Sequence, residues 1–497
     1  MQGSSVELND LSDEILLLIF KKLDKAEVLY SFLGINQRFT RLVHDSIFTN
    51  RLTLTKGVAD GLFDRLDNQK RERFRLQILP SIRHKIEWLG VEASSLEDIL
   101  LCTSYPNLNG LGLHGIEENT VLRIFTDETP LTRLLQDKIT SLVIDTFLSE
   151  DAFTKECLHY GSSDWDKPLF QIPPTISSST LLELHVILET FTDLSPRIVI
   201  DNQKQIPSLK HFSLYSERDT DKYNELIVPL VYRMTNLEEL NLHLVVYCEK
   251  RFIGGYDLTR NIISRLLQLN KFVFNIRSRL PLNDQAYLSS NEDSQRSFNG
   301  FKNNKIISCV DYFPDRKEGQ CHIYSYPYPA KYYEYITNNF PDGLFKYVRE
   351  VSLYDERPFE HEFFIKIAKS FPFMEKLTVY NNKPQMNKFD ERSKDDNRHL
   401  SAIQYPYLRL LDLFDAHDDY AEQFLLEFKT CLPIKLNLHV HFSTLSRVTH
   451  NFTRNATRMN CAKIIDSGVS GGNSSTSKQL LKDYVSDAKI IFSNSVE

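Results

Sequence analysis

Hydrophobic and polar positions follow two different rhythms along this chain. In residues 8–50 they fall at helical spacing. Leu11 and Leu16 flank Ser12 as a hydrophobic staple flanks an N-cap, which predicts a helix from Asp13 to about Leu23. Asp24 is placed to cap a second helix, with Glu27 completing a capping-box arrangement, and Asn36 to cap a third that carries Phe39, Leu42 and Val43. The run Ile15 to Phe20 is apolar without a break, so its side chains point all around the axis, whereas a surface helix needs one apolar stripe. A module of about 40 residues sits at the limit of independent stability and has little left to cover a second side. An exposed apolar face of this kind marks a partner site.

Beyond residue 85 the rhythm changes to an apolar position followed three and five residues later by two more. The phrase occurs as Leu108-Leu111-Leu113, Leu209-Phe212-Leu214, Leu237-Leu240-Leu242, Leu269-Phe272-Phe274, Val348-Val351-Leu353, Met374-Leu377-Val379 and Leu408-Leu411-Leu413. Weaker copies start at Ile86, Ile139, Leu181 and Leu436, and an aromatic or isoleucine plus proline precedes several, as at Tyr105-Pro106 and Phe371-Pro372. Helical spacing fills the intervals at residues 96–101, 223–232, 262–267, 363–368 and 420–428. A strand and a helix repeating at this interval predict stacked parallel strands. Eleven or more of them, at ~4.7–4.9 Å each, would form one continuous surface on the order of 50–60 Å long. One gap, between the copies at Leu269 and Val348, is 79 residues and is expected to hide further repeats; within it, residues 306–312 and 320–326 read as two strands.

Alternation along each strand sorts the residues into inward and outward sets. The outward positions include His114, His211, Tyr215, Asn241, His243, Tyr354, Tyr380, Asp412 and Phe414. The last outward residue of a phrase is repeatedly aromatic or histidine. Tyrosine is a favoured interface anchor, so this stripe is the candidate contact for a protein substrate, with packing along the sheet as the plain alternative.

Composition narrows the function. Lys+Arg 59 against Asp+Glu 66 leaves a net charge of −7, which argues against a dedicated nucleic-acid binder. The basic cluster Arg65, Lys70, Arg71, Arg73 and Arg75 is adequately explained as a solvated helix face. The seven cysteines are scattered with no C-x-x-C spacing, as expected for reduced thiols in a cytoplasmic or nuclear compartment, and neither a signal peptide nor a membrane span is expected. His361-Glu362 begins like a zinc-protease motif, but Ile365 stands where the second histidine belongs; His439 and His441 share a strand face that could hold a metal between them, with a satisfied or solvated pair as the plainer reading. No phosphate-binding loop or nucleophile elbow occurs. Catalytic residues, cofactor and metal are therefore all expected to be none.

The ordered residues Leu11-Ser12-Asp13-Glu14-Ile15-Leu16, Ile19-Phe20, Leu23-Asp24, Val28-Leu29 and Ile35-Asn36-Gln37-Arg38-Phe39 resemble the F-box, with Ser12 in place of the family's proline and one extra residue within 30–34. The later repeat resembles the irregular leucine-rich repeat, without a regular Asn or Cys ladder. These resemblances imply an α/β fold: a short N-terminal three-helix F-box at 6–52 and a leucine-rich-repeat-like α/β solenoid at 86–465. Composition adds a linker helix region at 53–85 and a flexible tail at 466–497, of which about the last 20 residues either fold back as a helix and strand or stay loose. The resemblances imply docking on a Skp-family adaptor, and through it on a cullin scaffold. Leu11, Ile15, Leu16, Ile19, Phe20, Leu23, Ile35 and Phe39 would form or support the docking surface, while the repeats bind a protein substrate whose identity is open. No nucleic-acid or membrane partner is expected. The rival expectation is a repeat-based interaction scaffold outside any ligase.

Overall fold

A computed structural model describes residues 8–57, 63–64, 66–116, 138–146, 180–188, 206–282, 290–301, 305–387, 402–470, 484 and 489–493. The polar and charged stretch 381–399 reads in the sequence as an exposed loop; its residues 388–399, with Arg65 and Cys157, lie outside the described residues. The chain is mixed α/β and divides into two compact units, Met1–Tyr247 with Tyr256–Ile276, and Cys248–Gly255 with Arg277–Glu497.

The first unit begins with helices Asp13–Phe20, Lys25–Phe32 and Gln37–Val43. The Asp24 carboxylate accepts from the Ala26 and Glu27 amides, and Asn36 Oδ1 accepts from the Phe39 amide at 2.7 Å. Ser12 occupies the N-cap position, but its side chain accepts no capping hydrogen bond, and the first helix ends at Phe20, short of the expected Leu23. Leu16, Phe20, Val28, Leu29, Phe39 and Val43 are buried, with the Phe20 ring against Phe32, Phe39 and Phe48.

Seven strands of this unit are parallel and pair in chain order: Arg51–Leu54, Trp88–Glu92, Gly110–His114, Ser141–Asp145, Glu183–Leu188, His211–Thr220 and Glu239–Tyr247. Register aligns the apolar phrases into ladders. Leu52, Leu89, Leu111, Leu142, Leu184, Phe212 and Leu240 stack as neighbours, all buried, which is the core the sequence pattern encodes. One carbonyl before each strand takes two successive N–H groups from the next repeat: Glu87 O from Asn109 and Gly110, Thr140 O from Leu182 and Glu183, Lys210 O from Glu238 and Glu239. This shared acceptor satisfies backbone groups that would otherwise be buried unpaired.

The strand Arg51–Leu54 went unnoticed in the sequence because Thr49, fully buried, stands where the phrase normally opens with an aliphatic residue. The strand straddles the expected boundary at 52/53, and the region expected as a linker helix goes on to helical segments Asn68–Arg73 and Leu79–Ile82. Two of its basic residues are brackets: Lys70 pairs with Glu27 and stacks with Arg73 on Tyr30, and Arg73 Nη2 donates to the Leu33 carbonyl at 2.9 Å, whereas Arg71 and Arg75 pair with Asn68 and Glu72 of the same segment.

In the second unit the 79-residue gap departs from expectation. Lys305–Phe313 and Glu318–Tyr326 pair antiparallel as a hairpin, turning at Lys317 with φ 52°, so they are not two parallel repeats. Parallel pairing then runs through Tyr332–Ile336, Glu350–Tyr354, Lys376–Tyr380, Leu410–Asp412, Leu436–His441, Ile464–Ser470 and Lys489–Ser493. These seven strands form their own sheet, so the expected single continuous surface is two. Leu438 pairs with Leu411, which puts the last weak phrase one residue earlier than its assigned start at Leu436. Of the two alternatives for the end of the tail, a strand forms at Lys489–Ser493, and the start of the segment, expected to be flexible, belongs to Ile464–Ser470. Helices His361–Ser370 and Asp418–Leu425 cover the apolar side, burying Phe364, Ile367, Tyr420 and Phe424.

Candidate functional site

The eight residues proposed for the helical docking surface separate into two groups. Leu16, Phe20 and Phe39 are core, whereas Ile15, Ile19, Leu23 and Ile35 are exposed and Leu11 is half-buried. Leu18, exposed by 63%, joins the outer set and was missed because the apolar run gave no sign of which side faces in. Outer and inner residues thus alternate within one turn: Ile19 is 38% exposed and Phe20 not at all. Arg38 holds the arrangement, its Nε donating to Asp13 Oδ1 at 2.7 Å, with Arg41 on Asp13 Oδ2 at the same distance. These guanidiniums, the Arg38 hydrogen bond foremost, hold the Asp13 carboxyl below the usual aspartate range.

Outward residues of the first unit form polar rows. His114 is the exception: it is buried, its Nδ1 3.3 Å from Asp145 Oδ2, so it is not an available contact surface. In the row Glu183, His211, Glu239 and Lys271, His211 Nδ1 lies 3.7 Å from Glu183 and Lys271 Nζ 2.9 Å from Glu239. Asn241 is exposed, and the Tyr215 ring rests on His243 at 4.3 Å, with Asn275 Nδ2 3.1 Å from His243 Nδ1. Burial lowers the neighbouring His185 below the usual histidine value.

Tyr354, Tyr380 and Phe414 converge with residues the sequence did not flag. They line a cleft of about 890 Å³ in the second unit together with Arg316, Tyr335 and Lys383. Strict alternation would send Tyr335 inward beside Tyr333; a register shift between Tyr333 and Ile336, with φ 50° at Tyr335, turns it out instead. Its ring then stacks with Tyr380 at 6.2 Å and 22°, and meets Tyr354 edge-on at 6.1 Å. The Arg316 guanidinium lies over Tyr354 at 4.4 Å. Burial raises the phenols of Tyr354 and Tyr380. Lys383 meets Asp315 at 3.0 Å, Arg447 meets Asp418 at 2.9 Å, and Glu356 accepts from the Asp315 and Arg316 amides at 2.8 Å. Asp412 lies at the edge of this group, 3.5 Å from His439, and Phe414 packs on His439 and His441. An aromatic floor with fixed charges at its rim fits a peptide segment, offering ring faces for side chains and polar groups for its backbone.

Among the described residues no group of three His, Cys, Asp or Glu is placed to hold a metal, and no helix is long and apolar enough to cross a membrane. His361 is buried with its Nδ1 3.1 Å from Gln423 Oε1, a packing role. No disulfide joins the six described cysteines; burial pushes the Cys321 thiol up to about 11. No protein-family model matches the chain, and no curated protein matches it.

Proposed function

We propose that the chain is a non-catalytic substrate-recognition adaptor of a Skp/cullin/F-box type ubiquitin ligase, its helices docking on the Skp-family adaptor and its sheets holding a protein substrate. The observation that carries this reading is the exposed apolar set Ile15, Leu18, Ile19, Leu23 and Ile35 on a module whose sequence resembles the F-box. Each side chain is already about half covered, so docking all five would gain roughly half of ~1.5–3 kcal/mol apiece, on the order of 4–8 kcal/mol. That is comparable with an association cost of ~4–15 kcal/mol, so a polar rim must contribute. The repeat-like sheets, with the Tyr335, Tyr354 and Tyr380 cleft, serve as the capture surface. Rate enhancement then comes from holding substrate beside a charged ubiquitin carrier, with no new catalytic group. The compartment is cytoplasmic or nuclear.

The test is co-purification of the full chain, and of an Ile15→Asp/Ile19→Asp variant, with a Skp-family adaptor and a cullin. Retention of both by the native chain and loss in a folded variant is the expected result. A native chain that retains neither is an interaction scaffold outside any ligase.

A further inference from the structure

In the second unit, the residue just before each strand phrase is large, apolar and exposed. Tyr347, Phe373, Tyr407 and Ile434 are 67%, 38%, 52% and 79% exposed, while their immediate successors Val348, Met374 and Leu408 are buried. Phe371-Pro372-Phe373 and Tyr405-Pro406-Tyr407 make the contrast plain: the first aromatic of each triplet is buried and the second faces out. Because the following strands pair in register as neighbours, the four side chains form a single row, in which the Phe373 and Tyr407 rings lie 5.3 Å apart. Three interstrand steps make it about 14 Å long. Solitary exposed apolar residues are ordinary, but a row in register is a binding feature.

Charge says what covers it. Lys331, Arg349, Glu375 and Arg409 mark successive steps along the same edge, each main-chain carbonyl from Lys331 to Glu375 taking the N–H of the next. Lys346 and Lys435 flank the row. Glu375 is the one acid in this series, and it is shared by Arg349 at 3.6 Å and Arg409 at 3.5 Å. The Arg349 guanidinium also lies 5.4 Å over Phe373. Five cations against one acid, on a chain whose net charge is −7, make this edge opposite in sign to the whole.

We infer that this edge is a docking site for a short acidic segment of a partner protein, its apolar side chains seated between Tyr347, Phe373, Tyr407 and Ile434 and its carboxylates on the flanking lysines and arginines. A row about 14 Å long matches four or five residues of extended chain at ~3.3 Å each, which favours a linear segment over a flat lipid surface. The site is separate from the apolar helical face and does not depend on ligase assembly.

The test selects a random dodecapeptide phage library on the full chain, then measures recovery on a Phe373→Ser/Tyr407→Ser variant and on a Lys331→Glu/Lys435→Glu variant. All four positions are exposed, and unaltered circular dichroism verifies folding. The expected peptides are rich in Asp and Glu with interspersed Leu or Phe, and recovery falls at least tenfold on both variants and in high salt. Peptides without acidic enrichment, or equal recovery on the variants, overturn the inference. Sedimentation of the chain with phosphatidylcholine/phosphatidylserine vesicles, lost in the same variants, would overturn it in favour of a lipid surface.

Discussion

Trp88 lies flat against Gly110, so close that a Cβ built on that glycine would stand 2.2 Å from the indole Cδ1. Gly90 and Gly112 meet the same ring, where a Cβ would fall 2.8 and 2.7 Å from it. Three glycines in adjacent strands form a shelf, and the indole fills the outward space above it, with Arg51 over its face at 4.9 Å. Gly110→Ala is therefore expected to cost about 1–3 kcal/mol through overpacking. In a Trp88→Ala background the same change should cost little, a coupling that urea unfolding of the two single variants and the double variant would expose. Equal costs in both backgrounds would show that the shelf does not constrain the residue.

Phe20 and Ile19 are neighbours with opposite fates on substitution. Phe20→Ala opens the small helical core and is expected to cost about 3–5 kcal/mol, whereas Ile19→Ala at a half-exposed position costs under about 1 kcal/mol. Amide exchange across residues 13–43 separates the two, and comparable loss of protection in both variants would place Ile19 in the core.

Asp13 gives the module an acid limit. Its carboxyl is held below the ordinary 3.8, first by the Arg38 hydrogen bond, so the stability it contributes is complete above the unfolded value and lost as pH falls through the lower folded one. Carbon-13 NMR of labelled aspartate should show a midpoint under 3.8 in the native chain and a return toward it in Arg38→Gln. A native midpoint at or above 3.8 contradicts the pairing.

Asn460 ties three segments of the second unit. Almost fully buried, its Nδ2 donates to the Phe424, Leu425 and Thr430 carbonyls, at 2.7 Å for the last, and its Oδ1 accepts from the Leu432 amide at 3.3 Å. Asn460→Ala leaves these groups without their partner and should cost about 1–3 kcal/mol or more. Faster amide exchange at Leu432 is the local sign; unchanged exchange there would mean that water replaces the side chain.

The sequence made the strands legible because period-two phrases with one inside face admit one register, and Leu89, Leu111, Leu142 and Leu184 do align. Three things were illegible. Tyr335 escapes alternation through a local backbone shift, which no apolar pattern announces. His114 has the spacing of an outward contact yet is buried beside Asp145, a residue 31 positions away whose proximity only the fold creates. The apolar run Ile15 to Phe20 told that both sides are greasy, but choosing Leu16 and Phe20 as the inner pair required the positions of Phe32 and Phe48.

The join between helices and sheet in the first unit carries a mechanical consequence. The Asn50 carbonyl accepts from both the Glu87 and Trp88 amides, Lys85 Nζ reaches the His44 carbonyl at 2.7 Å, and Ser46–Thr49 leads directly into the strand at Arg51. With no slack segment at this point, whatever grips the helical face also sets the heading of the first parallel sheet. A Gly-Ser insertion between Asn50 and Arg51 would slacken this link alone, so the bearing would then rest on Lys70, Arg73 and Lys85, which reach the helices from beyond the strand.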